Sequence, residues 1–204
     1  MSSKGNLIIL SGPSGTGKGT VCKKLFAQNS NITYSVSATT RLPRPGEENG
    51  REYYFVSKDE FENMITQNQL LEWANVYGNY YGTPLNKINE LRAQGIDVLL
   101  EIDTQGALNV MEKAADGIFI FLLPPSLAEL EKRIRGRGTE TAEVIKKRLD
   151  AAIDEIALGQ HYNYLVVNNN IDTAVEQITA IILAEKCRTS RNIDIINKIK
   201  TEEI

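Results

Sequence analysis

Residues 7–20 read LIILSGPSGTGKGT, and this stretch decides the fold. Four apolar residues in a row, Leu7 to Leu10, with no polar alternation, have the pattern of a strand buried on both faces, as in a parallel sheet. A loop with glycines at 12, 15 and 17 follows at once, and a helix-compatible segment runs on after Gly19. Strand, glycine loop and helix in that order are the setting of a phosphate-binding loop. Glycines let successive N–H groups turn inward toward phosphate oxygens, and the new helix adds its positive end. Lys18 then reaches the β- and γ-phosphates as a point charge. The candidate triphosphate-binding residues are therefore Gly12, Pro13, Ser14, Gly15, Thr16, Gly17, Lys18, Gly19 and Thr20. The strict pattern has Ser or Thr directly after the lysine; here Gly19 takes that position and the hydroxyl comes one residue later, at Thr20.

Outward from this loop, apolar runs recur at Val98-Leu99-Leu100 with Ile102, at Ile118 to Leu123, and at Tyr164 to Val167. Helical patterns alternate with them: after Gly19; from Ser57 to Gln67, opened by the capping pair Ser57 and Glu60; and from Pro84 to Gln94, with Thr83 as cap and Gly95 as stop. Later helices are expected from Ser126, with Glu129 completing a second capping box, from about Thr141 to Leu158, and from Asp172 to about Lys186. This alternation predicts a doubly wound α/β domain. Residues 34–83 break the rhythm. They are rich in Tyr, Thr, Arg and Gly, and EYYFV (52–56) and LLEWANV (70–76) read as short exposed strands of an inserted subdomain. Beyond residue 187, Ile193, Ile196 and Ile199 among charges suggest a weak helix or a frayed tail.

The chain has 204 residues, enough for one domain with insertions. With 42% hydrophobic and 24% charged residues and a net charge of −3, it fits neither a disordered chain nor a dedicated nucleic-acid binder, which needs an excess of Lys and Arg. Cys22 and Cys187 are too few for a disulfide framework and lack metal-ligand spacing. The single histidine, His161, excludes a His-rich metal site. A Ser-His-Asp hydrolase would depend on that one residue, which reads as an ordinary surface or packing histidine. The apolar run near the N-terminus is too short for a signal peptide or a membrane span, so the expectation is a soluble, cytoplasmic protein without membrane or nucleic-acid partners.

Several stretches carry chemistry. Arg41 and Arg44 in SVSATTRLPRPGEENGREYYFV (35–56) present guanidinium forks that match phosphate oxygens, and Tyr53 and Tyr81 can add hydroxyl donors. The other reading of this segment is a solvated basic turn with tyrosines as sheet packing. The run Val98 to Asp103 is an apolar strand ending in acids, at the end of a parallel strand where α/β sites assemble. Glu101 and Asp103, two apart, are expected on one face and could orient Mg²⁺ waters. Arg133 and Arg137 are four apart, and Arg137 and Arg148 bracket GRGTETAEVIKKR (136–148).

These motifs, with LLEWANVYGNYYGTP (70–84) and LLEIDTQG (99–106), occur in the order found in guanylate kinases, and residues 5–186 resemble that family closely. The resemblance implies a P-loop kinase core with a five-stranded parallel sheet flanked by helices, a GMP-binding insertion at about 34–91 and a mobile lid at about 126–150, with 187–204 as a C-terminal tail. It implies transfer of a phosphoryl group from ATP, with Mg²⁺, to GMP in purine nucleotide metabolism. Matched residue by residue, Arg41, Arg44, Tyr53 and Tyr81 hold the GMP phosphate, Glu72, Ser37 and Thr83 recognise the base, and Asp103 contributes near the 2-amino group. Lys18, Arg137 and Arg148 are the implied catalytic cations; Arg148 also faces GMP, and Arg133, Arg137 and Asn168 belong to the ATP side. Two other readings are a non-catalytic guanylate-kinase-like interaction module and a kinase of a phosphorylated sugar. The nearly complete loop argues against the first and the guanine set against the second. Whether the chain is a monomer or a homodimer stays open at this stage.

Overall fold

The computed structural model describes residues 4–136 and 142–201. In chain order the first elements are β1 (Leu7–Ser11), α1 (Lys18–Gln28), β2 (Ile32–Tyr34), β3 (Ala38–Thr39), β4 (Tyr54–Phe55) and α2 (Lys58–Thr66). There follow β5 (Leu70–Val76), β6 (Asn79–Pro84), α3 (Leu85–Ala93), β7 (Asp97–Glu101), α4 (Thr104–Lys113) and β8 (Ile118–Leu123). The chain continues through α5 (Leu127–Arg135), α6 (Ala142–Ala157), β9 (Tyr164–Val167), α7 (Ile171–Lys186) and α8 (Ile193–Thr201).

β1 runs through the middle of a five-stranded sheet ordered β2-β7-β1-β8-β9, every pair parallel. Its side chains alternate between two cores. Ile8 and Leu10 join Val21, Cys22 and Leu25 of α1 and Val175, Ile178 and Ile182 of α7. Leu7 and Ile9 join Ile88 of α3 and Ala107 and Val110 of α4. A strand covered on both faces has no place for a polar residue, which is why LIIL lacks alternation. Each such side chain contributes about 1.5–3 kcal/mol by leaving water. The four connections between the strands of this sheet carry their functional loops to the carboxyl ends of the strands.

Residues between β2 and α3 build a second sheet, ordered β4-β3-β6-β5, with a small core of its own in which Ala38, Phe61 and Leu70 are buried. The Ser57–Glu60 capping box forms as expected: the Ser57 hydroxyl accepts from the Glu60 N–H, and the Glu60 side chain accepts from the Ser57 N–H. It starts α2 where Phe61 can stack on Tyr80, with ring centroids 5.2 Å apart.

Several local expectations need correction. β2 and α4 were not legible: β2 has three residues and one buried side chain, and α4 carries Gly106 in its first turn, which reads as a loop. β7 ends at Glu101, so Asp103 does not share a strand face with it; Asp103 caps α4 by accepting from the Gly106 N–H at 2.7 Å. Thr83 does not cap α3, whose N-cap is Pro84 without a side-chain bond; the Thr83 hydroxyl points across the hairpin instead. At α5 the Ser126 hydroxyl accepts from the Glu129 N–H at 3.1 Å, but the Glu129 carboxylate turns to Arg133, so the box is half formed. The tail is anchored: Arg191 donates to the Lys4 and Gly5 carbonyls and to the Asn6 side chain at the start of the central strand.

Candidate active site

The loop from Gly12 to Thr20 leaves β1 and enters α1 through backbone conformations open to glycine. Gly12 has φ +144°, and a Cβ there would come within 2.3 Å of the Leu122 carbonyl oxygen. Gly17 has φ +94° and stands directly before Lys18, with the Asn168 amide nitrogen 2.7 Å from where a Cβ would lie. Lys18 Nζ donates to the Gly12 and Pro13 carbonyls at 2.6 and 3.1 Å, which folds its side chain back over the loop. Burial pushes its ammonium below the ordinary lysine range, and the Glu101 carboxylate opposes that shift. Ser14, Gly15, Gly17, Lys18, Gly19, Thr20, Lys23 and one acid, Glu101, line a cavity of about 420 Å³. A pocket of backbone N–H groups and two lysines suits a polyphosphate.

Residues far away in sequence brace this loop. Asn168, directly after β9, donates to the Thr16 carbonyl at 2.7 Å. Arg133 of α5 donates to the same oxygen at 3.4 Å and to the Asn168 carbonyl at 3.0 Å, while Glu129 holds its Nε at 3.1 Å. Arg133 and Asn168 also line a neighbouring cavity of about 430 Å³ with Gly17, Thr20, Asn169, Asn170 and Ile171. Arg148 of α6 reaches the loop from the other side, its guanidinium donating to the Ser14 hydroxyl at 2.6 Å. Arg137, the remaining cation of the expected set, lies outside the described residues.

Acids mark the far wall. The Glu101 carboxylate accepts from the Tyr34 hydroxyl at 3.5 Å and lies 3.7–3.8 Å from where a Cβ on Gly19 would sit. Beneath it the Cys22 thiol is pushed up to about 12, chiefly by burial, and is inert as a nucleophile. Among the described residues no group of three His, Cys, Asp or Glu side chains is arranged to hold a metal ion. Glu101 is, among the described residues, the one carboxylate lining the lysine cavity, an oxygen donor of the kind that fits a hard cation bound together with phosphate oxygens. Asp103 acts electrostatically on both Lys18 and Glu72 and so links the phosphate loop to the second sheet.

On that sheet two clusters form. Glu72 of β5 accepts from the Thr83 hydroxyl of β6 at 2.5 Å. Burial raises the Glu72 carboxyl above the ordinary range, Thr83 opposing and Asp103 adding to the shift. Arg41 lies 5.5 and 5.8 Å from the ring centroids of Tyr53 and Phe55, and Tyr53 meets Tyr81 edge-on at 5.9 Å. The Arg44 side chain is exposed. Ser37 is tied in through its carbonyl, which accepts from the Tyr54 N–H at 2.8 Å, and lines a cavity of about 280 Å³ with Tyr53. The residues missed from sequence are Glu47 and Glu129, which hold arginines rather than ligands. Their only signal is a carboxylate at short spacing from an arginine, and that pattern is common on solvated surfaces.

A guanylate kinase family model matches residues 4–185. The chain is 58% identical over 193 residues to a guanylate kinase of Clostridium tetani, covering 95% of this chain and 92% of that one. It is 52% identical over 201 residues to a guanylate kinase of Caldanaerobacter subterraneus subsp. tengcongensis, covering 98% of each. Among solved structures, a guanylate kinase from Anaplasma phagocytophilum superposes with a TM-score of 0.71 at 34% identity, covering 100% of this chain and 98% of that one. A phosphate loop on a five-stranded parallel sheet, a second sheet carrying the Glu72–Thr83 pair, and similarity along nearly the whole length agree: the chain belongs to the guanylate kinase family.

Proposed function

We propose that the chain acts as an ATP:GMP phosphotransferase, moving the γ-phosphoryl group of ATP onto a phosphate oxygen of GMP. The new O–P bond forms in line as the bond to the β-phosphate oxygen breaks, giving GDP and ADP without a covalent enzyme intermediate. The loop N–H groups and Lys18 hold the donor phosphates, and Arg133, Arg137 and Arg148 offset the negative charge on the transferring group. Arg133 and Asn168 border the adenine. Arg41, Arg44, Tyr53 and Tyr81 hold the acceptor phosphate. Glu72, Ser37 and Thr83 read the base, with Asp103 beside its 2-amino group. Mg²⁺, when bound with ATP, offsets charge on the phosphates; Glu101, with Asp103 beyond it, would hold its water shell.

The observation that carries this reading is the pair of half-buried Glu72 and buried Thr83. A carboxylate whose ionised form is disfavoured by burial calls for two donors side by side, and guanine supplies its N1–H and 2-amino group on one edge. Adenine lacks both, and a sugar phosphate has no base at all. The nearly complete loop with Lys18 favours catalysis over an interaction module. We take residues 5–186 as the domain, about 34–91 as the acceptor insertion, about 126–150 as the lid that closes to exclude water, and 187–204 as a tail. Action on free nucleotides in the cytoplasm is consistent with a net charge of −3 and with the described helices, none of which is long and apolar enough to cross a membrane.

The test is ADP formation from ATP and Mg²⁺ with GMP, AMP, CMP, UMP or no acceptor. Turnover that depends on GMP is expected; equal turnover with AMP would refute the Glu72 assignment. Failure with every acceptor in folded protein would favour the interaction module.

A further inference from the structure

The strand that carries Glu72 does not keep a regular register. β5 pairs antiparallel with β6, with Trp73 opposite Gly82, Ala74 opposite Tyr81, Asn75 opposite Tyr80 and Val76 opposite Asn79, yet Leu70 lies opposite Pro84. Three steps along β5 therefore match two along β6, and Leu71 and Glu72 together face Thr83 in a β-bulge. Side chains of a regular strand alternate, which would put Glu72 on the same face as Leu70. The extra residue breaks that alternation. Leu70 is buried with Phe61, and Trp73, three residues on, meets Tyr80 of the same cluster edge-on at 5.8 Å. Leu71 turns the other way, into the core that holds Ile88, Ala107 and Val110. The Glu72 carboxylate goes to the Thr83 hydroxyl.

Gly82 stands opposite this bulge with no room for a side chain. A Cβ there would lie 2.8 Å from the Glu72 carbonyl oxygen, 2.9 Å from the Trp73 Cβ and 3.0 Å from the Phe61 Cζ. The first two neighbours cannot swing aside, one being backbone and the other the first atom of its side chain. Glycine inside a strand commonly marks such a bulge or a close approach of another backbone. We infer that Gly82 is a positioning residue for the acceptor base: its bare α-carbon lets the bulge close down on β6, and the bulge turns the Glu72 carboxylate toward Thr83 and away from the apolar face that α2 covers. The inference rests on the reading of Glu72 as the carboxylate that recognises guanine. A methyl group at position 82 displaces the Glu72 carbonyl and with it the backbone from which the carboxylate projects. A contact to two donors side by side tolerates such a shift poorly, since a misplacement of about 1 Å is enough to lose much of an oriented interaction.

The experiment compares wild type, Gly82→Ala, Glu72→Gln and the double variant in steady-state kinetics with ATP, Mg²⁺ and GMP, and measures inhibition by guanosine, which has the base without the phosphate. Gly82→Ala is expected to raise the KM for GMP and the inhibition constant of guanosine alike, on the order of tenfold, while kcat and the KM for ATP change less than about threefold. In the Glu72→Gln background the same substitution should change the GMP KM less than about threefold, because the carboxylate it misplaces is already gone. A general loosening of the second sheet would act through Arg41 and Arg44 as well and would persist in that background. An unchanged GMP KM, a rise for GMP without one for guanosine, or a full effect in the Glu72→Gln background would each overturn the inference. Absence of GMP-dependent turnover in wild type would instead refute the functional reading beneath it, and the inference with it. If Gly82→Ala does not fold, the Phe61→Leu, Gly82→Ala double variant, which relieves the Cζ contact and keeps the carbonyl one, is compared with Phe61→Leu alone against the same limits.

Discussion

The base-reading role proposed for Glu72 pulls against its cost to folding. Burial raises its carboxyl above the ordinary value, so between the unfolded and the folded pKa the native state binds more protons, and stability falls as pH rises through that window. At neutral pH the ionised group is thus a cost to folding. Glu72→Gln, whose amide oxygen can still accept from Thr83, is expected to raise the thermal midpoint. The same variant should lower kcat/KM for GMP on the order of 10- to 100-fold, the loss of hydrogen bonds to a charged acceptor. In wild type the GMP KM should rise as pH falls through the raised Glu72 value, and Glu72→Gln should remove that acid limb. Lys18 behaves differently: Lys18→Met is expected to reduce kcat by roughly 10²–10³-fold, the scale for removing one preorganised electrostatic donor, with the far-ultraviolet circular dichroism of wild type. Neither residue needs the structure to be nominated. What the sequence left open was which neighbour each side chain takes, and that depends on strands and helices far away in the chain.

At the scale of elements, the second sheet stands on its own small core, and Phe61 is its largest fully buried side chain. Phe61→Ala is expected to cost about 3–5 kcal/mol, read by chemical denaturation. The same change should raise the KM for GMP more than that for ATP, because Glu72 and Thr83 sit on the strands it supports. Ser57→Ala, which removes half of the capping box that starts α2, should cost only about 1 kcal/mol. The phosphate loop is the more brittle element. Gly17→Ala introduces a methyl group 2.7 Å from the Asn168 amide nitrogen at a φ of +94°, and is expected to weaken ATP binding, measured by titration with a non-hydrolysable ATP analogue. The long elements were legible because their signals are local: an unbroken apolar run for β1, a Ser and a Glu three apart for α2. The two-residue β3, the three-residue β2 and the glycine-bearing α4 carry no such signal, and only pairing with neighbours makes them elements, whereas β4 falls within the EYYFV run read as a strand.

Across the whole molecule, phosphate chemistry gathers at the carboxyl end of the central sheet and a separate polar network closes its other end. There the nearly buried Arg92 donates to the Gly5 carbonyl and pairs with Asp116, and Asp97 accepts from the Asn6 N–H while pairing with Lys186. Arg191 brings the tail onto the same spot. Arg191→Ala is expected to lower stability by about 1–2 kcal/mol, the scale of charge-assisted bonds that water can partly replace, and to leave both KM values as they were, since none of the residues assigned to the nucleotides under the proposed function lies there. The sequence by itself determined the parallel sheet, the phosphate loop and the capped start of α2, because these follow from side-chain periodicity, backbone freedom at glycine and hydrogen bonds over three residues. Tertiary structure alone decided that Thr83 serves Glu72 and not a helix end, that Asp103 caps α4, and that Arg133 and Asn168 meet at the Thr16 carbonyl across 117 and 152 residues. A polar side chain takes whichever partner the fold brings within 3 Å or so, and no local pattern records which partner that is.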